Sequence, residues 1–466
     1  VVSKLGGKRL GAWPPTHAGA DLVAQVGVGT GTNLRKLGKG DAVLIVATDL
    51  EEEVPIWRLR LKQAHDRGAY VVVMNARRTR MDDFASETIR YDYADAANAL
   101  NLLRDRYAEY AKKLADAANL IVVCGAEGLT LEGSRTLMQT AANFLIETGH
   151  VGKPNNGLLS PFPGPNGMGQ HYLGFTPEAT QEIMQNPPKA LIVAQADVLL
   201  DDPMARQWLG KVKNVIFLSL FKEEAPEWAA AALPIQSFAE RDGSYVNGER
   251  RVQRFYTGQG PLGQALPAWQ VLSRLGEKLG QGKAKPSAAS VMLEISKSVA
   301  AFAGCTYTEL GRIERQFPDV GGADLYYGGT AYQNKGGVGV QIPSAADQGE
   351  AVQPQAYGGG GAEIGEAGKL LVVPVTRLYN RERAFRSAEL VHPRVPDAFV
   401  EINSADAQQM GIQNGDTVHI RIADAQPIAA RAHVNGGAPK GTVVLPRHLS
   451  EQPAPLAITA GEVVKA

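Results

Sequence analysis

Two short polar stretches hold the side chains with the clearest capacity for chemistry. Asn75-Ala76-Arg77-Arg78-Thr79-Arg80 is basic and could hold a phosphate. Thr48-Asp49-Leu50-Glu51-Glu52-Glu53 carries four carboxylates. A pyrophosphate at this second stretch would need backbone N–H groups and no like charge, and it would meet acids instead. The same acids suit the positive end of a helix dipole without any further role. No GxGxxG pattern marks the junction, so the residues themselves favour an α/β scaffold with charged loop ends over a dinucleotide turn.

The elements that must position these loops can be read from hydrophobic pattern. Ala42–Ala47 is a short run rich in Val and Ile, as expected of a strand buried on both faces. Val54–Arg67 has helical spacing, with Trp57, Leu61 and Ala64 on one face, and Gly68 ends it. Tyr70–Met74 is a second buried strand. Together they form one right-handed βαβ unit. Ligands of open parallel sheets bind beyond the carboxyl ends of the strands, which is where both polar loops lie. Tyr93–Ala117 is predicted as one long helix, Leu120–Cys124 as a third strand ending in the loop Gly125–Gly128, and Glu132–Thr148 as a helix closed by Gly149.

A second α/β stretch follows a long Gly-, Pro- and Asn-rich loop at 150–177, a length that points to function or to a domain connection. Ala190–Ala194, Val215–Leu220 and Ala229–Gln236 are predicted strands, with a helix at Met204–Val212. Gln236–Arg254 reads as a surface loop, from the turn signals Asp242-Gly243 and Asn247-Gly248. Pro267–Leu279 and Ser290–Ala303 are amphipathic helices. Glycines cluster through 319–368, which reads as a linker wrapping over the surface. From Lys369, short strands at Leu370–Val375, Phe399–Ile402, Thr417–Ile422, Ala429–Val434 and Thr442–Leu445 suggest a small barrel, with a helix Ser404–Met410 capped by Ser404. The domains expected are therefore 1–185, first α/β; 186–318, second α/β; 319–368, linker; and 369–466, β-barrel.

Bulk properties exclude several classes. The 466 residues suffice for roughly two to four domains. Lys plus Arg and Asp plus Glu both number 48, so charge gives no reason to expect nucleic acid or an anionic membrane as a partner. No apolar run is long enough to span a bilayer, and no signal peptide is visible. The two cysteines, Cys124 and Cys305, are read as buried thiols; they cannot supply the four thiolates of an iron–sulfur cluster. Gly27-Val28-Gly29-Thr30-Gly31-Thr32-Asn33 resembles a phosphate loop in glycine count alone, lacks the Lys-Ser/Thr ending, and reads as a flexible entry to the sheet. His17 stands alone and reads as structural or solvated. No GxSxG elbow and no HExxH occur. Glu240 and Asp242 read as solvated turn acids, and His392, His419, His433 and His448 fit no common zinc spacing.

Two α/β regions followed by a small barrel, in that order, resemble the molybdopterin oxidoreductases. The resemblance lies in TDLEEEVPIWRLRLKQAHDRGAYVVVMNARRTR, LMQTAANFLIETGHVGKPNNGLLSPFPGPNGMGQHYLGFTP, LPIQSFAERDGSYVNGERRVQ, and VEINSADAQQMGIQNGDTVHIRI with GTVVLP. It implies parallel sheets with helices on both faces and a carboxyl-terminal barrel of the molybdopterin dinucleotide-binding type. Active members of that family hold molybdenum or tungsten through Cys, selenocysteine, Ser or Asp, often followed by His, upstream of the first strand. The corresponding stretch here, Trp13–Ala20 (WPPTHAGA), contains no Cys or Ser, and no Asp until Asp21. Tyr379-Asn380-Arg381-Glu382-Arg383 replaces a His-containing loop, and Glu51-Glu52-Glu53 sits where a cofactor phosphate would approach.

These departures resemble the large iron–sulfur subunit of bacterial respiratory complex I, NADH:quinone oxidoreductase. That resemblance implies the carboxyl-terminal part of such a subunit, a structural piece of the peripheral arm with no active site, metal or cofactor of its own. Iron–sulfur clusters would lie on an amino-terminal portion preceding Val1. The partners implied are the cluster-bearing and flavin-bearing hydrophilic subunits, on the cytoplasmic side of the bacterial membrane, without nucleic acid or membrane insertion. The alternative is a working molybdenum or tungsten bis-molybdopterin enzyme such as a formate dehydrogenase. In that case Arg77, Arg78, Thr79, Gly125 and Asp197 would hold phosphates or guanine. A third reading is a nucleotide- or partner-binding module.

Overall fold

The computed structural model describes residues 6–311, 339–356, 369–386 and 388–466. The expected linker 319–368 lies mostly outside these; its described part includes a two-residue strand and a short 3₁₀ turn, Ala346–Gln348.

The first lobe is built on β1 (Ala42–Val46), β2 (Tyr70–Met74), β3 (Glu87–Ile89), β4 (Leu120–Cys124) and β5 (Gly157–Leu159), all parallel, in the order β3-β2-β1-β4-β5. Every residue of β1 and β4 is buried, which is why both read as unbroken apolar runs. Val43, Ile45, Val71, Val73, Ile121 and Val123 pack on one face with Leu61 and Ala64 of the helix Pro55–Asp66. Leu44, Val46, Val72, Met74 and Val122 pack on the other with Leu22, Leu114 and Leu137 from three more helices. The sheet is thus a central layer covered on both sides, as the family resemblance implies.

Several local expectations are corrected. The helix predicted over Tyr93–Ala117 is three: Ala96–Asn101, Leu103–Arg106 and Ala108–Ala115. The edge strands β3 and β5 have three residues each, too few for a periodic signal. The glycine-rich entry at 27–33 is tightly packed rather than loose. A side chain at Gly29 would lie 2.2 Å from the Lys153 carbonyl oxygen, and Gly27 bridges to Leu158.

The second lobe carries β6 (Ala190–Ala194), β7 (Asn214–Ser219) and β8 (Ala231–Pro234), parallel in that order. The stretch read as a surface loop, Gln236–Arg254, instead forms most of a hairpin of β9 (Gly243–Val246) and β10 (Arg251–Phe255), extended by β11 (Val340–Gln341). Its turn residue Arg250 is wholly buried. The guanidinium donates to the carbonyls of Val28 (2.8 Å), Ile342 (3.1 Å) and Val23 (3.3 Å), and it pairs with Asp347 at 3.2 Å. An arginine in a polar turn gave no sign that three backbone segments would converge on it.

The barrel closes through β12 (Leu370–Val375), β13 (Phe399–Asn403), β14 (Thr417–Arg421), β15 (Ile428–Asn435), β16 (Thr442–Pro446) and β17 (Thr459–Lys465), in the order β12-β16-β13-β15-β14-β17. Five of the six were legible. β17, which seals the ring by pairing with both β12 and β14, was not. The helix after β13 is capped by the Asn403 side chain, which accepts from Ala405 N, rather than by Ser404.

Candidate functional site

The carboxyl ends of β1, β4, β6 and β7 and one end of the barrel converge on a cavity of about 760 Å3. The segment before the first helix, Trp13–His17, lies along it, together with Glu53, Glu127, Asp197, Arg241, Arg377 and Arg447. This follows the rule that parallel sheets present their ligand sites beyond the carboxyl ends of the strands.

On the first-lobe side, the two polar loops of the sequence do not stand apart; they bind each other. Arg77 donates from Nη2 to Asp49 (3.0 Å) and to Glu127 (2.7 Å), and from Nε to Glu127 (2.8 Å). The three side chains are 5–8% exposed. Tyr93 Oη donates to Glu127 at 3.2 Å. Burial would lower the Arg77 pKa, but Glu127 and Asp49 outweigh it and keep the guanidinium charged. Asp49 is shifted upward, because its burial outweighs the attraction of Arg77. Glu53 accepts from Thr48 Oγ1 and from Asp49 N, both at 2.9 Å, and burial pushes its pKa up to about 8, so it carries a proton at neutral pH. Glu52 reaches the barrel, accepting from Arg377 Nη1 (2.8 Å) and Leu378 N (2.9 Å).

The other candidate residues are also engaged. Arg78 is exposed and pairs with Asp83 at 3.1 Å. Thr79 donates from N (2.7 Å) and Oγ1 (3.1 Å) to Asp82. Gly125 makes a close loop crossing: a Cβ there would meet the Ala47 carbonyl oxygen at 2.5 Å. Asp197 accepts from Arg383 Nε at 2.6 Å, joining the second lobe to the segment after β12. Of the five candidates, only Asp197 lines the cavity.

The groups left over come from residues that sequence reasoning missed or set aside. His17 Nε2 is buried without a hydrogen-bond partner, and burial, then the charge of Arg447, hold its pKa down to about 4. Arg447 Nη2 is likewise orphaned, 3.8 Å from Asp201, and Arg241 keeps a buried Nε without a partner. Burial and Arg447 also hold His448 down to about 3, leaving both imidazoles neutral. Glu224, pushed up to about 7 chiefly by burial, completes this side. Only a histidine beside Pro14-Pro15-Thr16 and an Arg-His pair after a barrel strand marked these groups in the sequence, and neither pattern is specific.

A two-lobed sheet scaffold with a closing barrel and a cavity at their meeting point defines a class, and sequence comparison agrees with it. A profile of the molybdopterin oxidoreductase family matches residues 4–278, and one of the molybdopterin dinucleotide binding domain matches residues 374–464. The chain belongs to the molybdopterin oxidoreductase family. Among its relatives, the F420-dependent formate dehydrogenase subunit alpha of Methanocaldococcus jannaschii is 24% identical, over 92% of this chain and 75% of that protein. The F420-dependent formate dehydrogenase 2 subunit alpha of Methanococcus maripaludis is 25% identical over 68% of this chain. This chain spans about half, 51%, of that relative's length. The acetylene hydratase of Pelobacter acetylenicus shares the fold, with a TM-score of 0.63 at 14% identity over 96% of this chain and 80% of its own.

These findings correct two expectations. The segment was expected to hold no cofactor, but its matched domains are those that hold molybdopterin. It was expected to have no active site, but its relatives are formate dehydrogenase alpha subunits. The error has a physical source. A missing ligand side chain at 13–20 reads as a missing site, whereas the candidate site is a cavity assembled from separated segments, which no single motif reports. The narrower placement in complex I is likewise not what these relatives indicate.

The residues fit a pterin cofactor on one side. The orphaned donors of Arg241 and Arg447 suit a polar, anionic group that would complete their hydrogen bonds. On the first-lobe side, the carboxylates already do so.

Proposed function

We propose that this chain is the catalytic portion of a molybdopterin oxidoreductase acting on a small carboxylate of the formate kind. The observation that carries this reading is the cavity between both lobes and the barrel, lined by Arg241 and Arg447, each with a buried nitrogen lacking a partner, in a chain whose relatives include formate dehydrogenase alpha subunits. When bound, the pterin-held metal supplies two-electron redox chemistry. The chain's own residues bind, orient and move protons. Arg447 and Arg241 would hold the cofactor's anionic groups from the second-lobe and barrel side. His17, neutral and with Nε2 free, is placed to accept a proton, and oxidation of formate to carbon dioxide releases one proton with two electrons. Glu53 holds a proton at the opposite wall. The walls around them shut out bulk water and strengthen these interactions. The test is molybdenum and tungsten analysis of the purified protein together with formate-dependent reduction of a redox dye. Stoichiometric metal with formate-dependent turnover is expected; a chain carrying neither metal nor pterin would sink the reading.

A second reading places the chain in the large iron–sulfur subunit of complex I, at the cytoplasmic face of the bacterial membrane. The absence of Cys, Ser and Asp from Trp13–Ala20 favours it. Among the described residues no helix is long and apolar enough to cross a membrane. Co-purification with flavin- and cluster-bearing subunits, and NADH-dependent rather than formate-dependent reduction, would distinguish it.

A further inference from the structure

We propose that the face carrying Phe385 and Leu390 is an interface between two copies of this chain, with Glu389 and Leu390 of each copy entering a groove on the other. The inference depends on neither functional reading above.

A groove of about 560 Å3 lies between the segment after β12 and the turn after β16. Phe385, Val395 and the buried Leu449 give it apolar walls, and Arg381, Arg386 and Glu451 line it as well. The chain's own hydrogen bonds set its shape before anything enters. Arg381 N donates to the His448 carbonyl (2.7 Å), Arg386 Nε to the Arg381 carbonyl (2.9 Å) and His392 Nε2 to the Arg386 carbonyl (2.9 Å). His392 belongs to the 3₁₀ helix Glu389–Arg394, so the same bond fixes that helix beside the groove. Leu390, on this helix, is 96% exposed. Single apolar side chains scattered over a surface are ordinary, whereas a concentration of them marks a contact. Fifteen large apolar side chains are exposed among the described residues, and four of them, Leu378, Tyr379, Phe385 and Leu390, fall within residues 378–390.

Charge indicates what covers them. Arg386, Arg394, Glu389 and Glu451 are exposed and make no ion pair among the described residues, which leaves unpaired charge of both signs on one face. Arg381 has only Asp397 near it, at 3.6 Å and itself 90% exposed. A face of mixed sign is a poor match for a uniformly acidic or uniformly basic partner, and it complements itself when turned about a two-fold axis. Because groove and helix share that face, one rotation can seat each copy's Leu390 against Phe385, Val395 and Leu449 of the other. It also sets each Glu389 against the other copy's Arg386, whose terminal nitrogens its own chain leaves unspent. Such an interface is isologous and closed, with every contact made twice.

Sedimentation velocity of the purified full chain, from about 1 to 100 μM at about 0.1 M salt, tests this. A concentration-dependent dimer is expected; a monomer throughout overturns the inference. Leu390→Glu should weaken association at least about ten-fold, since it withdraws a leucine side chain from burial in both halves of the interface. A dimer of unchanged affinity would place the contact elsewhere and overturn the inference as well. The ion pair is tested by exchanging its charges. Arg386→Glu and Glu389→Arg should each weaken the dimer at least several-fold, by setting like charges against each other. An equimolar mixture of the two variants should restore it, because opposite signs then meet in both halves. A mixture that associates no more tightly than either variant alone overturns the pairing.

Discussion

Replacing Arg77 by methionine tests whether the first-lobe triad is a closed, buried network. Methionine keeps much of the volume and removes the charge, leaving Asp49 and Glu127 facing each other at 5–6% exposure. Breaking a buried pair by removing one partner costs about 3–5 kcal/mol. Because a chain with several lobes need not unfold in one step, the readout should be local: native-state hydrogen exchange of the β2 amides Val71–Met74. A loss of about 4 kcal/mol is a ~10^3-fold rise in their opening equilibrium. The penalty should depend on pH with a definite sign. Without Arg77, nothing offsets the burial that already holds the Asp49 pKa above its unfolded value. Folding then takes up protons, so the variant's deficit is full at neutral pH and shrinks as pH falls through the raised value. The companion variant Arg77→Met/Asp49→Asn/Glu127→Gln removes the charges together and should recover most of the loss. A cost below about 1 kcal/mol for Arg77→Met, as for an exposed pair, with no pH dependence, would refute the closed network.

Three further outcomes follow. Glu53, with a folded pKa of about 8, contributes stability that is full below pH 4.5 and lost as pH rises through 8; Glu53→Gln should flatten that decline, whose slope between the two values is at most about 1.4 kcal/mol per pH unit. Denaturation midpoints at pH 5, 7 and 9 would show it. Arg250→Met should cost about 3–5 kcal/mol by removing the counter-ion of Asp347 and the donors to the Val28 and Ile342 carbonyls, seen as early proteolysis at 340–348. Gly125→Ala should destabilise the first lobe by roughly 1–3 kcal/mol, because its Cβ would lie 2.5 Å from the Ala47 carbonyl oxygen; an unchanged denaturation midpoint would show that the β1 and β4 loops can part.

The sequence alone determined the layers. β1, β2 and β4 read correctly because strands buried on both faces must be apolar throughout, and five barrel strands read correctly because turns and short apolar runs alternate. It also determined which loops would stand at the carboxyl ends of the sheet, since that follows from the βαβ connection. What it left open is which charged side chains would spend themselves on one another. Asp49, Arg77 and Glu127 are separated by up to 78 residues, and nothing local distinguishes a guanidinium waiting for phosphate from one already buried between two carboxylates. The same holds for His17 and Arg447, which face one cavity from opposite ends of the chain. Short-range pattern records what each segment must bury. Only the tertiary structure decides which polar groups meet and which are left facing the cavity, because electrostatic pairing depends on distance in space and not along the chain.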